Sequence, residues 1–340
     1  MCSETDRRNR SLHGMQKRGR ERRFAWLAGS LRCVIVILGL LAPHAHGAED
    51  VVILTARGSS PYHPLGVALG RVVAESTPAL RPSVQTTTGS TENLELLANG
   101  RAQIAFALGD ALSDAWAGRE ASGFTSPRRT LRSIAALYPN YVQIVARRDA
   151  RISALGDLRG KRVSVGAARS AVERNARVIL AGAGLSYRQL GKVEYLPFGE
   201  SIEWMKDRQL DATLQSAVLG VSGLRDLATA MDVVVVGVGA DVVRKIDDPA
   251  YLTATIPANT YRGQTRDVQT VAIQNFLVTD ENVPDEIVYR VTKALWNGLE
   301  KLVAAHPAAR DIRLSNALAT MIVPLHPGAE KFYREAGILK

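Results

Sequence analysis

Short apolar runs, each followed by a small or polar loop and then by a helical pattern, are the sequence feature that most constrains the fold. Residues 51–54 form the first such run, and apolar residues at mostly helical spacing follow at 65–73. The unit recurs with strands predicted at 83–87 and 102–108 and a helix at 90–99. Strands that alternate with helices are typical of α/β layers with largely parallel sheets.

A second series of alternating elements follows in the middle of the chain. Between the two series the pattern predicts two strands, 132–137 and 142–146, because Pro139 and Asn140 punctuate the apolar run. The second series comprises a short helix at 153–158, strands at 161–165, 193–198, 212–215 and 233–236, and helices at 170–183, 200–208 and 223–230. After a strand at 270–278, helices are predicted at 285–305, 315–319 and 329–336. We therefore expect two α/β modules followed by a helical tail.

The first 47 residues differ from the rest and have the features of an export leader. Residues 1–32 carry nine Lys or Arg residues and three acidic ones. An apolar run of ten residues follows at 33–42, shorter than the roughly 20 residues of a membrane-spanning helix. Small residues after the run predict a signal peptide cleaved between Gly47 and Ala48, and therefore a periplasmic protein. Two alternatives stay open: an uncleaved amino-terminal anchor, and a start at Met15.

The region after the leader is nearly balanced in charge and has no cysteine. Residues 48–340 contain 34 basic and 30 acidic residues, and both cysteines, Cys2 and Cys33, lie in the leader. The basic excess of the whole chain is therefore no sign of nucleic-acid binding. The lack of thiols excludes disulfides and Cys-ligated metals and suits an oxidising compartment. At 293 residues this region has the length at which one core divides into two, so we expect two lobes.

Three loops share a design that favours an anion. Each follows a predicted strand and places small or hydroxylated residues at the start of a helix, at 55–64, 86–93 and 166–173. Free backbone N–H groups and the helix dipole attract negative charge there. Ligands of open α/β sheets bind beyond the carboxyl ends of the strands, so loops from two modules can meet at one cleft. For any single loop, an ordinary capped helix is the alternative.

Two arginines sharpen this hypothesis. Arg57 and Arg169 lie in the first and third loops, and a guanidinium beside a helix amino terminus binds carboxylate or phosphate strongly. A solvated surface position is the alternative for each. We predict that the ligand-contacting residues are Arg57, Gly58, Ser59, Ser60, Tyr62, Thr88, Ser90, Asn93, Asp110, Tyr138, Arg169, Ser170 and Ser216.

Catalytic chemistry has weaker support in the sequence. The histidines after the leader, His63, His306 and His326, are not at metal-ligand spacing to one another. The G-x-S-x-G pattern of a nucleophile elbow does not occur. Asp110 and Glu173 remain as an acid–base pair, if they face each other. We expect a binding protein and not an enzyme, without cofactor or metal.

Six segments together resemble one family, the TAXI-type solute receptors of TRAP transporters (tripartite ATP-independent periplasmic transporters). They are YHPLG at 62–66, TGSTENL at 88–94, ALYP at 136–139, DLRGKRVSVG at 157–166, TIPANTY at 255–261 and PLHPGAEKFY at 324–333. Each segment is weak alone, but their order and spacing make the set specific. The resemblance covers essentially all of the chain after the leader.

This resemblance implies an α/β type II periplasmic-binding-protein fold, in which two lobes joined at a hinge trap a ligand between them. It implies a first lobe of residues 48–139 and 270–340 and a second lobe of 140–269. Family members handle carboxylated solutes and deliver them to membrane permease subunits. We therefore expect a monomer that captures a small anionic metabolite and passes it to a TRAP permease. A sensory protein that reports ligand occupancy, and an enzyme on a similar fold, are the alternatives.

The chain departs from the family pattern in two of the three loops. The family has a glycine-rich first loop, whereas this chain has Arg57, Ser59 and Ser60 there. In the third loop, Arg169 and Ala171 stand where glycines are usual in the family. The extra arginines predict a more highly charged anion than an amino acid. A dicarboxylate is therefore the first expectation, beside a glutamate-like ligand.

Overall fold

Ten strands form one mixed sheet in the computed structural model, which describes residues 48–57 and 60–340. The predicted signal peptide, residues 1–47, lies outside the described residues. Residues 48–340 form one compact unit by themselves. The strands are β1 (Glu49–Ala56), β2 (Leu80–Thr87), β3 (Ile104–Leu108), β4 (Leu131–Arg147), β5 (Arg162–Ser164), β6 (Lys192–Glu194), β7 (Ala212–Ala217), β8 (Val233–Val236), β9 (Tyr251–Ile256) and β10 (Val268–Asp280).

Ten α-helices in this part of the chain pack on the sheet. They are α1 (Tyr62–Ser76), α2 (Ser90–Ala98), α3 (Gly109–Ala117), α4 (Ala171–Gly182), α5 (Phe198–Lys206), α6 (Ser222–Ala230), α7 (Ala240–Ile246), α8 (Asp285–Asn297), α9 (Leu299–Ala305) and α10 (Pro327–Glu335). Short 3₁₀ helices lie at Glu120–Ser122, Arg148–Ala150, Leu155–Leu158, Tyr187–Gln189, Pro307–Asp311 and Leu314–Asn316. Among the described residues, none of the helices has the length and apolar character needed to span a membrane.

Two parallel groups of strands lie on either side of two antiparallel ones. The strand order is β2-β1-β3-β10-β4-β7-β5-β6, with β8 paired to β4 and β9 to β10. β1 is parallel to β2 and β3, and β5 is parallel to β6 and β7. β10 is antiparallel to β3, β4 and β9, while β4 is antiparallel to β7 and β8. The long strands β4 and β10 therefore cross from one parallel group to the other.

The prediction of two strands separated at Pro139 is wrong, because β4 is continuous. Pro139 lies opposite Gln274 of β10, beside an irregularity in register between Gln274 and Phe276. A proline has no N–H to donate, so a strand accommodates it where the ladder is already interrupted. The proline marks the middle of a crossover strand and not its end.

Four hydrophobic clusters divide between the two halves of the sheet. Two are built by β1–β3 and the first part of β4, with α1–α3 and the carboxyl-terminal helices. The other two are built mainly by β5, β7, β8, β9 and the second part of β4, with α4–α7. The predicted α/β class with two lobes is confirmed.

The helical tail belongs to the first of these halves. Val291 of α8 and Tyr333 of α10 lie in the same cluster as Leu65 of α1. The Tyr333 hydroxyl donates to the carbonyl oxygen of Ile134 in β4 at 2.9 Å. The chain therefore returns to its first lobe after crossing the second.

Several predicted boundaries are wrong in instructive ways. The predicted helix 285–305 is interrupted at Gly298, where a Cβ would lie only 2.4 Å from Val72 of α1, so close packing requires the glycine that breaks the helix. The predicted helix 315–319 is only the 3₁₀ turn Leu314–Asn316. The helices α3 and α7 and the strand β9 were not predicted.

Candidate functional site

The helices of both lobes begin at the carboxyl ends of parallel strands. In the first lobe, β1, β2 and β3 lead into α1, α2 and α3. In the second lobe, β5 leads into α4 through the predicted third loop. Tyr62 at the start of α1 contacts the crossover strand β10, and Asp110 at the start of α3 contacts Arg174 and Asn175 in the first turn of α4. This cluster is the candidate site.

Tyr62 joins the start of α1 to both crossover strands. Its ring stacks on Phe106 with a centroid distance of 5.3 Å, and its hydroxyl donates to Oδ1 of Asn275 in β10 at 2.5 Å. Asn275 Nδ2 in turn donates to the carbonyl oxygen of Tyr138 in β4 at 2.8 Å. Burial raises the pKa of Tyr62, so its hydroxyl remains a hydrogen-bond donor at neutral pH.

Asp110, in the first turn of α3, accepts hydrogen bonds from the other lobe. Its Oδ2 atom receives Arg174 Nε at 3.0 Å, Asn175 Nδ2 at 2.7 Å and the Tyr251 hydroxyl at 3.4 Å. Arg174 Nη2 lies 2.8 Å from the same oxygen. Asp110 is only 1% exposed, and its Oδ1 atom accepts from the backbone N–H of Ala111. The carboxylate is therefore fully paired inside the protein.

The second loop is organised largely by its own residues. Glu92 Oε2 accepts from the backbone N–H of Thr88 at 2.8 Å and from its hydroxyl at 2.7 Å, and these bonds lower the pKa of Glu92. Asn93 is buried, with Oδ1 accepting from Thr87 and Nδ2 donating to the carbonyl oxygen of Phe106. Thr88 is exposed, whereas the amide of Asn93 is used within the first lobe.

Ser90 and Ser170 cap or tie their own elements. Ser90 Oγ accepts from the backbone N–H of Leu108 at 3.0 Å. Ser170 is the N-cap of α4, and its Oγ accepts from the backbone N–H of Glu173 at 3.1 Å. Both hydroxyls lie at a helix start and retain the capacity to donate to a ligand.

The two predicted arginines are exposed. The backbone N–H of Arg57 donates to Thr87 at 3.1 Å, and Arg169 has a left-handed backbone with φ of 60°. Neither guanidinium has an ion-pair partner within 48–57 and 60–340. In the first loop, Ser60 Oγ accepts from the backbone N–H of Tyr62 at 3.3 Å. Gly58 and Ser59 lie outside the described residues.

Three of the buried polar atoms that have no hydrogen-bond partner in the described part of the chain belong to predicted or observed residues of the candidate site. They are the Tyr138 hydroxyl, Ser216 Oγ in β7 and Asn175 Oδ1 in α4. Leaving such an atom unpaired costs about 1–3 kcal/mol. Tyr138 is 1% exposed, and burial raises the pKa of its hydroxyl. The hydroxyls of Tyr138 and Ser216 are places where a bound molecule would complete the hydrogen bonding.

Sequence reasoning missed four residues of this cluster: Arg174, Asn175, Tyr251 and Asn275. Arg174 and Asn175 follow the third loop directly, so the loop boundary was drawn one turn too early. Asn275 stands in a largely apolar predicted strand, 270–278, which is a readable signal for a buried polar role. Tyr251 gave no signal, because its strand was not predicted.

The alternative acid–base pair is not formed. Asp110 is paired with Arg174, whereas Glu173 accepts from the Tyr187 hydroxyl and from Arg177. Within the described ranges, no group of three His, Cys, Asp or Glu side chains is placed to hold a metal ion. The carboxylates of Asp110 and Glu173 therefore bind different partners and do not face each other as an acid and a base.

Two grooves lie at the opposite edge of the first lobe, near the amino ends of its strands. One, of about 420 Å³, is lined by residues 76–79 and by α8. The other, of about 320 Å³, is lined by Glu49, Asp50, Asp280 and residues 282–284, among others. Neither contains a residue of the candidate site.

Comparison with known proteins identifies both a family and a fold. The model of the NMT1-like family matches residues 53–337. PhnD1 from Prochlorococcus marinus, in complex with methylphosphonate, has 8% identity and a TM-score of 0.53, over 86% of this chain and all of that one. MatC from Rhodopseudomonas palustris, with bound malate, has 12% identity and a TM-score of 0.52, over 85% and 97% of the two chains. The periplasmic binding protein BugD has 13% identity and a TM-score of 0.51, over 86% and 99%. The periplasmic-binding-protein fold with two lobes is thereby shown.

Proposed function

Because the chain belongs to the NMT1-like family, we propose that it is an exported solute-binding receptor that captures a small carboxylate-bearing anion between its two lobes. The leader supports export to the periplasm. The fold supports binding at a cleft, since the start of α1 contacts the crossover strand β10 and the start of α3 contacts the start of α4. PhnD1 and MatC hold methylphosphonate and malate, which are both small anions, and this similarity supports the ligand class.

The observation that carries this proposal is the state of the two loop arginines. Arg57 and Arg169 stand beside helix starts in different lobes, exposed and without ion-pair partners among the described residues. A third guanidinium, that of Arg174, is already compensated by Asp110. Unpaired positive charge therefore remains on both sides, which favours an anion with two carboxylates, one for each lobe.

The distribution of acidic residues at the helix starts also favours an anion as the ligand. α2, α3 and α4 each carry an acidic residue in the first turn, Glu92, Asp110 and Glu173, whereas α1 carries none. An anion at the start of α1 would meet the backbone N–H of His63 and the charge of Arg57 without repulsion from a carboxylate of that turn. The unpaired hydroxyls of Tyr138 and Ser216 supply uncharged hydrogen bonds for the rest of the solute.

The lobe boundaries belong to this proposal. We assign residues 48–139 and 270–340 to the first lobe and 140–269 to the second, with the hinge in β4 and β10. A solute that contacts both lobes binds the closed form better and shifts the hinge equilibrium towards it. A membrane permease of the TRAP type would then recognise the closed form, and this delivery step stays a prediction from the sequence resemblance.

A thermal-shift screen of residues 48–340 tests the proposal. The panel contains mono- and dicarboxylates, amino acids, sulfonates and phosphates. A true ligand present at about 100 times its dissociation constant adds roughly 2.7 kcal/mol to the free energy of unfolding. We expect the largest shift from a dicarboxylate. No shift from any anion would overturn the receptor hypothesis.

Charge variants separate the site from the surface. Arg57→Gln and Arg169→Gln should each reduce the shift, because each removes a carboxylate partner. Arg151→Gln is the matched control. Like Arg169, Arg151 is an exposed arginine with a left-handed backbone, φ of 55°, but it follows the carboxyl end of β4 and lies outside the three loops. If all three variants show the same anion-induced thermal shift as the parent, Arg57 and Arg169 are surface residues that do not contact the ligand.

A further inference from the structure

The helix α3 and the residue Arg119 beyond it make polar contacts with the second lobe at two places. Deep in the molecule, Asp110 accepts from Arg174, Asn175 and Tyr251. Nearer the surface, Asp248 Oδ2 accepts from Ser113 Oγ at 3.1 Å and from Arg119 Nη1 at 2.5 Å. We name these seven residues the α3 latch.

We propose that the α3 latch holds the two lobes together in the closed form, so that the lobes part only when its ion pairs break. This inference rests on the proposed receptor function, because only a protein that opens and closes needs such a device. Separation would remove from Asp110 Oδ2 all three of its side-chain partners at once. The latch therefore acts as one cooperative contact.

The burial of the charges gives the latch its strength. The Asp110 and Asp248 side chains are only 2% and 7% exposed, and hydrogen bonds to charged groups in such places are stronger than neutral ones. Arg119 also holds Asp114 of its own lobe at 2.6 Å, which orients its guanidinium towards Asp248. Arg119 itself is 45% exposed, so salt in the solvent reaches the outer contact.

The latch differs from a solute site in its balance of charge. Arg174 is paired with Asp110, and Arg119 with Asp114 and Asp248. A solute carboxylate entering here would have to displace a buried aspartate and leave it unpaired, which is strongly unfavourable. The two lobes therefore meet through the latch, and the solute is left to Arg57 and Arg169.

Fluorescence energy transfer between the lobes tests the latch without any solute. Residues 48–340 contain no cysteine, so Ser83→Cys and Arg188→Cys place two dyes specifically. Ser83 is exposed on β2 and Arg188 is exposed beside β6, at the two ends of the sheet, where rotation about the crossover strands moves residues farthest. The labelled protein should populate the short distance to a measurable extent without solute, and a bound solute should raise that population further.

Removing both carboxylates by Asp110→Asn and Asp248→Asn should populate the long distance. We expect the ratio of closed to open molecules to fall about tenfold or more, the change expected on losing a charge-assisted hydrogen bond. Arg119→Gln, an exposed change that leaves the buried contact intact, should give a smaller shift in the same direction. Raising the salt concentration from 0.05 M to about 1 M should move the parent protein towards Arg119→Gln.

Glu95→Gln is the matched control, because it breaks a half-buried pair with Arg128 inside the first lobe. It should leave the distance distribution unchanged. Identical distributions in the parent and the double variant would overturn the latch. A latch that responds as described, in a protein for which no anion gives a thermal shift, would instead overturn the receptor function alone.

Discussion

Replacing Arg169 by glycine should make the empty protein more stable and its anion binding weaker. A non-glycine residue with a left-handed backbone costs roughly 1–2 kcal/mol. Replacement by glycine relieves this cost but destabilises the folded state by about 0.4–1 kcal/mol, because glycine has more conformational freedom in the unfolded chain. Arg169, with φ of 60° and an exposed side chain, should therefore yield a net stabilisation of about 0.5–1 kcal/mol as glycine.

Differential scanning calorimetry of residues 48–340 measures both effects. For a chain of this size the unfolding temperature should rise by about 1–3 °C without solute. With the strongest anion from the screen, the additional shift should be much smaller than in the parent. The unfolding temperature without anion should rise while the anion-induced shift falls, and this combination distinguishes the predicted effect from general damage to the fold, which would lower both values.

Arg151→Gly provides the comparison. Arg151 has φ of 55° and is exposed, so its replacement should raise the unfolding temperature by a similar amount. Its anion-induced shift should equal that of the parent. If Arg169→Gly lowers the stability of the empty protein, or keeps the full anion-induced shift, the reasoning about this loop is wrong.

Three further changes test the framework around the site. Tyr62→Phe removes the donor to Asn275 and leaves a buried amide oxygen unpaired, so urea denaturation should show a loss of about 1–3 kcal/mol. Burial lowers the pKa of His326 below its usual 6.5, so stability should fall as the pH drops below about 6.5, and His326→Asn, which keeps an acceptor for Gly328, should flatten this dependence between pH 5 and 7. Gly118→Ala should cost more than about 1 kcal/mol, because φ is 70° and a Cβ would contact residue 127 at 2.4 Å.

Each of these changes has a simple comparison. Tyr289→Phe removes an exposed hydroxyl contact with Glu335 and should change stability by less than about 0.5 kcal/mol. His63→Asn replaces an exposed histidine and should change stability by less than about 0.5 kcal/mol. Gly156→Ala meets open space, so its effect should be smaller than that of Gly118→Ala. Equal effects within any pair would contradict the structural cause given for that change.

Local pattern was sufficient for most of the elements and for the class of fold. The strand at 233–236 and the helices starting near 90, 171 and 222 were found within one or two residues, because apolar periodicity and capping residues act locally. Pro139 was misread because its accommodation depends on an irregularity in β10, more than 130 residues away. Register between distant strands leaves no trace in a local window.

The sequence predicted the loops of the candidate site, but not the contacts between side chains that lie far apart in the sequence. The helix starts of the three loops lie as expected, and Arg57 and Arg169 are exposed there. Asp110 was named as a ligand contact, but the structure gives it four donor atoms from the second lobe, Nε and Nη2 of Arg174, Nδ2 of Asn175 and the Tyr251 hydroxyl. No single-sequence rule joins an acid in one lobe to an arginine 64 residues later in the other.

A crystal structure of residues 48–340 with the strongest anion of the screen tests the central claim most directly. The account predicts density for the anion between the lobes, with its carboxylates within hydrogen-bond distance of Arg57 or Arg169 and of the start of α1. It also predicts that the Tyr138 or Ser216 hydroxyl gains a partner. An anion bound only in the groove between residues 76–79 and α8, with the space between the lobes empty, would contradict it.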